Sequence, residues 1–168
     1  MPHIRYRALP IVAAALAFTG CASVADLKPG TPYSEALKQY GKPSVTCSEP
    51  DGTHRVVWTQ EPSGEFAWAV TFDKNENAVS VDQVMNRASF DVLNQGQWNT
   101  QSVRCQFGQP AMVRTFADSP NNMVWEYRFY GAGDEYDMLF VTFDRATNQM
   151  VEYTTGPDPQ YNLLLLGR

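Results

Sequence analysis

The stretch LKPGTPYSEALKQYGKP, residues 27–43, decides the fold because the chain contains a second version of it, LNQGQWNTQSVRCQFGQP, at residues 93–110. Gly41 and Gly108 stand 67 positions apart, and Leu27 and Leu93 stand 66 positions apart. An ordered series of matches at nearly constant spacing indicates internal repetition. Repetition is a stronger clue to the fold than any single motif.

The match continues beyond these stretches. The matching segments are VVWTQ (56–60) with MVWEY (123–127), and AVTFDKNENAV (69–79) with FVTFDRATNQMV (140–151). Trp58 and Trp125 are again 67 positions apart, whereas Phe72 and Phe143 are 71 apart. The spacing therefore predicts four extra residues in the second copy, between its first two strands.

Each copy has the pattern of helices followed by strands. Tyr33, Ala36, Leu37 and Tyr40 recur at helical spacing and give one apolar face, and Gly41 suits a left-handed helix end. RVVWTQ, FAWAVTF and AVSVDQV then alternate apolar and polar residues with a period of two, as half-buried strands do. We predict an α+β fold of two tandem units, each with two helices and a three-stranded antiparallel meander, the helices packed on one sheet face.

The first 20 residues have the pattern of a secretory signal peptide. Arg5 and Arg7 are followed by an apolar run from Ala8 to Phe18, which is shorter than the roughly 20 residues that a membrane-spanning helix needs. The sequence therefore predicts three parts: a signal peptide at 1–20, a first repeat at 21–83 and a second repeat at 84–168, which includes a C-terminal tail.

The stretch Phe18-Thr19-Gly20-Cys21 resembles the lipobox of bacterial lipoprotein precursors. The resemblance implies that Cys21 is acylated with chains such as palmitate and becomes the mature N-terminus. Ala22, rather than an aspartate, implies by the same resemblance sorting to the outer membrane of a Gram-negative bacterium, on its periplasmic face. Several acyl chains on one cysteine suffice for stable anchoring, whereas a single chain is marginal.

The mature chain is acidic. Loss of Arg5 and Arg7 leaves 11 of the 13 basic residues against 18 acidic ones, a formal charge of −7. This balance argues against nucleic acid as a partner. Cys47 and Cys105 remain as a pair that an oxidising periplasm favours as a disulfide, and the alternative is two separate buried thiols.

The repeated unit resembles the BamE/SmpA/OmlA family of small outer-membrane lipoproteins. The features it shares are a helix ending in Gly-x-Pro, a strand that bears a tryptophan and a strand that ends in TFD. Two tandem copies also resemble the architecture of the β-lactamase inhibitory protein. The first resemblance implies a non-enzymatic envelope protein that binds protein partners, such as the β-barrel assembly machinery. The second implies, as the alternative, an inhibitor of a periplasmic or extracellular enzyme with one continuous concave sheet.

The sequence does not point to catalysis. His54 is the one histidine of the mature chain, in the turn-like stretch EPDGTHR, where we predict an exposed loop side chain. Neither a nucleophile–histidine pair nor a recognisable metal-ligand spacing is present, so we expect no catalytic residues, no metal, no cofactor and no small-molecule substrate. Aromatic side chains make up 12% of the chain, and Trp98, Tyr130 and Phe140 are the predicted partner-binding residues.

Replacement of the acylated cysteine tests the anchor. We expect Cys21→Ser to move most of the protein from the membrane fraction to the soluble fraction and to abolish incorporation of labelled palmitate. Ala22→Ser serves as the control and should stay in the membrane fraction. Retention of Cys21→Ser in that fraction contradicts the lipoprotein prediction.

Overall fold

The computed structural model describes residues 22–131 and 135–161. They form two four-stranded antiparallel sheets, each with its strands in sequence order. The first half contains a 3-10 turn Val24–Asp26, helix α1 Tyr33–Tyr40, and strands β1 Val45–Ser48, β2 His54–Thr59, β3 Ala67–Phe72 and β4 Ala78–Gln83. The second half contains α2 Arg87–Phe90 with a 3-10 segment Asp91–Asn94, α3 Thr100–Phe107, β5 Met112–Phe116, β6 Ser119–Tyr130, β7 Tyr136–Asp144 and β8 Met150–Pro157. We call β1–β4 sheet 1 and β5–β8 sheet 2.

Some predicted features lie outside the described residues. They are the signal peptide at 1–20, the acylation site Cys21 and most of the C-terminal tail, 162–168. None of the helices in the described part of the chain is both long and apolar enough to cross a membrane.

The prediction of two units with two helices and three strands is wrong, because each sheet has four strands and the chain is mostly sheet. The additional strands are β1 and β5, which begin two residues after Pro43 and Pro110. Proline after a helix end favours extended backbone, so the chain enters a strand there instead of a loop. β1 has four residues and β5 is exposed along its whole length, so neither shows the alternation that identified the other strands.

The alignment of the two copies also changes in their second strands. Trp58 Nε1 donates a hydrogen bond to the carbonyl of Gly41 at 3.0 Å, and Tyr127 Oη donates to the carbonyl of Gly108 at 3.2 Å. Tyr127, and not Trp125, is therefore the structural counterpart of Trp58. Two of the four extra residues lie in the β5–β6 hairpin and two in the β6–β7 hairpin.

Sheet 1 is buried on both faces. Val56, Val70 and Phe72 face α1, which lies on the outside of the sheet. Val57, Ala67 and Ala69 point to the opposite face and pack against α2 and α3. Because alanine side chains are small, the helix backbone can approach this face of the sheet closely.

The helices of the second half lie between the two sheets. Val103 and Phe107 of α3 belong to one buried cluster with residues of both sheets, including Val57 of β2 and Tyr127 of β6. The order of layers is therefore α1, sheet 1, α2 with α3, and sheet 2. The two copies stack in the same sense, and α3 serves as the covering helix of both sheets.

A disulfide links the two copies covalently. Cys47 of β1 and Cys105 of α3 are bonded, which joins the edge of sheet 1 to the helix of the second copy. Their sequence separation is 58, and closing a loop of this length stabilises the folded state by about 4 kcal/mol in the chain-entropy model.

Removal of the disulfide should weaken the contact between the copies. We expect the double replacement Cys47→Ala and Cys105→Ala to lower the free energy of unfolding by about 3–4 kcal/mol, measured by urea denaturation. Dithiothreitol should have a similar effect on the wild type and none on the double variant. Equal stability of the two proteins under oxidising conditions would mean that the bridge does not support the stack.

Candidate partner-binding face

Sheet 2 packs one face against α2 and α3, and its other face carries none of α1, α2 and α3. The segment 158–161, helical at 159–161, contacts Arg128 and Tyr136 on that other face. Side chains alternate between the faces of a strand, so the residues between the buried Trp125, Tyr127 and Phe129 point away from the helices. We call this second surface the open face. Its side chains are Met112, Arg114, Val124, Glu126, Arg128, Tyr130, Tyr136, Met138, Phe140, Thr142, Glu152 and Thr154.

An ion pair lies at the centre of the open face. Arg114 Nε is 2.7 Å from Glu126 Oε1, and the Glu126 side chain is 8% exposed while that of Arg114 is 49% exposed. Phe140 stands directly opposite Glu126 on the neighbouring strand and is half-buried. Because a buried carboxylate needs a partner, Arg114 is held in place and keeps one side toward solvent.

The β2–β3 turn of the first copy reaches the edge of this face. The Glu61 side chain accepts a hydrogen bond from the backbone N–H of Arg128, and the Arg128 guanidinium donates to the carbonyl of Pro62. The guanidinium also donates from Nε to Asp158 Oδ2 at 2.9 Å. The pairing of β5 with β6 does not extend past Glu126. Glu61 therefore covers a part of β6 that β5 leaves unpaired.

Glu61 is held in an unfavourable environment for a charged carboxylate. Burial raises the pKa of Glu61 to about 7, although the hydrogen bond from the Arg128 backbone and the Arg128 charge both lower it. Its second oxygen, Oε2, is buried without a hydrogen-bond partner among the residues described. The turn that joins the two copies thus contains a group that changes charge near neutral pH.

Tyr130 belongs to a row of aromatic side chains that crosses from the first copy to the second. Its ring centroid is 5.4 Å from that of Phe66 and 5.0 Å from that of Tyr136, and Tyr136 stacks on Tyr161 at 3.8 Å. The hydrogen bond between the hydroxyls of Tyr130 and Tyr136 raises the pKa of Tyr130 to about 12. Tyr130 is therefore on the open face, but its ring is largely engaged within the protein.

The other two predicted partner-binding residues lie apart from each other. Phe140 is near the middle of the open face. Trp98 lies before α3 on the helix side of sheet 2, where its carbonyl accepts from the backbone N–H of Met150 at 2.8 Å. Trp98 lines a groove of about 510 Å³ beside the Cys47–Cys105 disulfide. The structure thus places Tyr130 and Phe140 on the same face, four residues apart along the strands, and Trp98 on the opposite side of the sheet.

The structure corrects the predicted environment of His54. His54 is the first residue of β2 and not an exposed loop residue, and its ring stacks on Phe72 at 5.2 Å and contacts Tyr33 at 5.1 Å. Its side chain is 11% exposed, because two aromatic rings cover it. In the described ranges, no cluster of three or more histidine, cysteine, aspartate or glutamate side chains is placed to hold a metal ion.

Sequence reasoning missed two features of this face. Alternation along β6 does place Glu126 and Arg128 on the side opposite Trp125, but it does not show which carboxylates they meet. The Glu61 contact joins residues 67 positions apart through a turn, and the only local signal is a glutamate next to a proline in EPSG. The Arg114 pair was missed because β5 itself was not predicted.

The pH dependence of stability tests the environment of Glu61. A carboxyl with a folded pKa of about 7 and an unfolded value of 4.5 contributes stability below pH 4.5 that is lost as the pH rises to 7. Relative to the wild type, Glu61→Gln should therefore gain about 1–2 kcal/mol between pH 4.5 and pH 8, with allowance for partial solvent screening. Urea denaturation at several pH values measures this gain.

The control for this measurement is Glu49→Gln, which removes an exposed carboxylate elsewhere in the first copy. It reports the effect of losing one surface charge. If the stabilities of Glu61→Gln and the wild type change in parallel from pH 4.5 to 8, burial does not raise the pKa of Glu61.

Comparison with known proteins does not assign the chain to a family, because no family model, no curated protein and no solved structure matches it.

Proposed function

We propose that this protein is a non-enzymatic, lipid-anchored lipoprotein of the outer membrane that binds an envelope protein through the open face of sheet 2. Cys21 provides the attachment to the membrane. The partner is a periplasmic or membrane protein of envelope biogenesis, with the β-barrel assembly machinery as one candidate. The acidic mature chain fits a protein partner better than a nucleic acid or an anionic lipid surface.

The observation that carries this proposal is the difference between equivalent faces of the two sheets. In sheet 1, Val57 and Ala69 lie under α3, whereas their counterparts in sheet 2 are Glu126 and Phe140. The open face thus combines an aromatic side chain with an arginine–glutamate pair. Interface cores are enriched in aromatic residues and arginine, so this face has the composition of a protein-binding surface.

The position of the anchor supports a partner near the membrane. Val24 is 8% exposed and packs in the cluster of α1 and sheet 1, so the folded part begins three residues after Cys21. Three residues span at most about 10 Å in extended form. A lipid on Cys21 would therefore hold the whole stack close to the membrane surface.

The enzyme-inhibitor alternative gains no support from the fold. That alternative expects one continuous concave sheet built from both copies. In the described ranges the strands form two separate four-stranded sheets, with α3 between them. A surface that spans both sheets is therefore not available in the form that the resemblance implies.

Photo-crosslinking in cells tests the open face. We expect p-benzoylphenylalanine at position 140 to crosslink a specific envelope protein, because an aromatic side chain already occupies that position. The same probe at Val79, which is 56% exposed on the edge strand β4 of sheet 1, is the matched control. Phe140→Ala should weaken capture of that partner at least tenfold, which corresponds to a loss of about 1.4 kcal/mol or more. Identical crosslinking from positions 79 and 140 contradicts the proposal.

A further inference from the structure

Strand β5 forms an edge of sheet 2 that nothing in the described chain covers. It pairs with β6 on one side only. Its counterpart β1 is also an edge strand, but the Cys47–Cys105 disulfide ties β1 to α3. Arg114 stands 67 positions after Cys47, at the equivalent place in β5, so the second copy has no such closure.

The backbone of β5 presents hydrogen-bonding groups to this open edge. The N–H of Ala111 points inward and donates to the carbonyl of Glu126 at 2.8 Å. The N–H of Gly131 bonds toward β7 and that of Arg128 points to the other side, so the even-numbered residues of β6 bond to β5. Met112 and Arg114 stand opposite Glu126 and Val124, and their backbone groups therefore also point inward, whereas the N–H and C=O groups of Val113 point outward. Among the residues described, no hydrogen bond reaches these outward groups. They are available to a further strand.

The side chains of β5 are unusually apolar for an exposed edge. Met112 is 41% exposed, Val113 is 53% exposed and Phe116 is 47% exposed. Edge strands are commonly protected against pairing by lysine, proline or an inward charge. The single charged residue of β5 is Arg114, whose guanidinium contacts Glu126 and is half exposed. The strand is short and its pairing shifts register between Arg114 and Phe116, but it contains neither lysine nor proline.

We propose that the edge of β5 accepts an extended strand of a partner polypeptide, with apolar residues opposite Met112 and Phe116 and an acidic residue opposite Arg114. The inference deepens the proposed function and rests on it, because it names the form in which the partner is bound. Main-chain hydrogen bonds would supply affinity, and alternate side chains would supply specificity. Arginine has five donors, so Arg114 can bind a second carboxylate while it keeps Glu126.

A second copy of this chain fits the edge less well. Antiparallel pairing of two β5 strands about their centres places Met112 opposite Phe116, which is favourable. The same pairing places Arg114 opposite Arg114, and like charges directly opposite each other destabilise a strand pair. Charge complementarity therefore favours a different chain with an acidic residue at this position.

Binding of two synthetic peptides to the full mature chain tests the inference. The protein carries Cys21→Ser to prevent acylation, and the peptides are TVTETVT and TVTKTVT with blocked ends. We expect the glutamate peptide to shift the NMR signal of the Val113 amide and to slow its exchange with solvent. The lysine peptide should bind at least tenfold more weakly, because its charge repels Arg114.

Two substitutions separate the backbone from the charge. Arg114→Gln keeps the backbone of the edge and removes the charge that pairs with Glu126, so it should lose the preference for the glutamate peptide. Val113→Pro removes the outward N–H and should bind neither peptide, with its folding checked by thermal denaturation. If Val113→Pro does not fold, N-methylation of alternate residues in the glutamate peptide should remove binding to the wild type.

Three results would overturn the inference. They are the absence of an amide shift at Val113 with the glutamate peptide, equal affinity for the two peptides in the wild type, and reversible dimerisation through β5 that Val113→Pro abolishes. The last result would assign the edge to a second copy. If the peptides fail while a probe at position 140 still crosslinks a specific partner, the edge inference is wrong and the open face stands.

Discussion

The packing of α3 between the two sheets is the interaction on which the rest of the structure depends. Ala67 and Ala69 leave room for the helix against sheet 1, while the aromatic face of sheet 2 closes on its other side. Arg55 of sheet 1 donates to the carbonyl of Cys105 at 3.1 Å, near the helix C-terminus, where a cation is favourable. The disulfide from Cys47 fixes the same contact covalently. Loss of this layer would leave two sheets with uncovered apolar faces.

This arrangement gives the stack two different ends. At the first end α1 turns a polar surface to solvent, made of Ser34, Glu35, Lys38 and Gln39. Polar outer layers of this kind terminate repeat proteins, which otherwise tend to continue stacking. At the second end the stack finishes with a sheet, whose open face has Phe140 where sheet 1 has an alanine under a helix. The two ends of the stack therefore differ, and the end formed by sheet 2 is the one suited to a partner.

The sequence predicts part of this picture. The repeat spacing places α1 and α3, because glycine and proline mark a helix end by local backbone chemistry. It fails for β1 and β5, because strand pairing is decided by non-local contacts and a short or exposed strand carries little hydrophobic alternation. The spacing also aligns Trp58 with Trp125, whereas its structural counterpart is Tyr127, which lies two residues further along the same face of β6. For the candidate site, alternation along β6 and β7 places Tyr130 and Phe140 on one face, whereas the contact from Glu61 depends on how the copies stack.

The differences between the copies follow from their different constraints. In the first copy, the positions that face α3 must remain small and apolar, since a larger side chain at Ala67 or Ala69 would displace the helix. In the second copy the equivalent positions are released from that requirement, and Met138 and Phe140 occupy them. A duplicated unit that stacks in one direction leaves one sheet face without the covering helix of a further copy. Side chains on that face can therefore differ from their counterparts in sheet 1 without loss of the stack, and it is there that the chain places Arg114, Glu126 and Phe140.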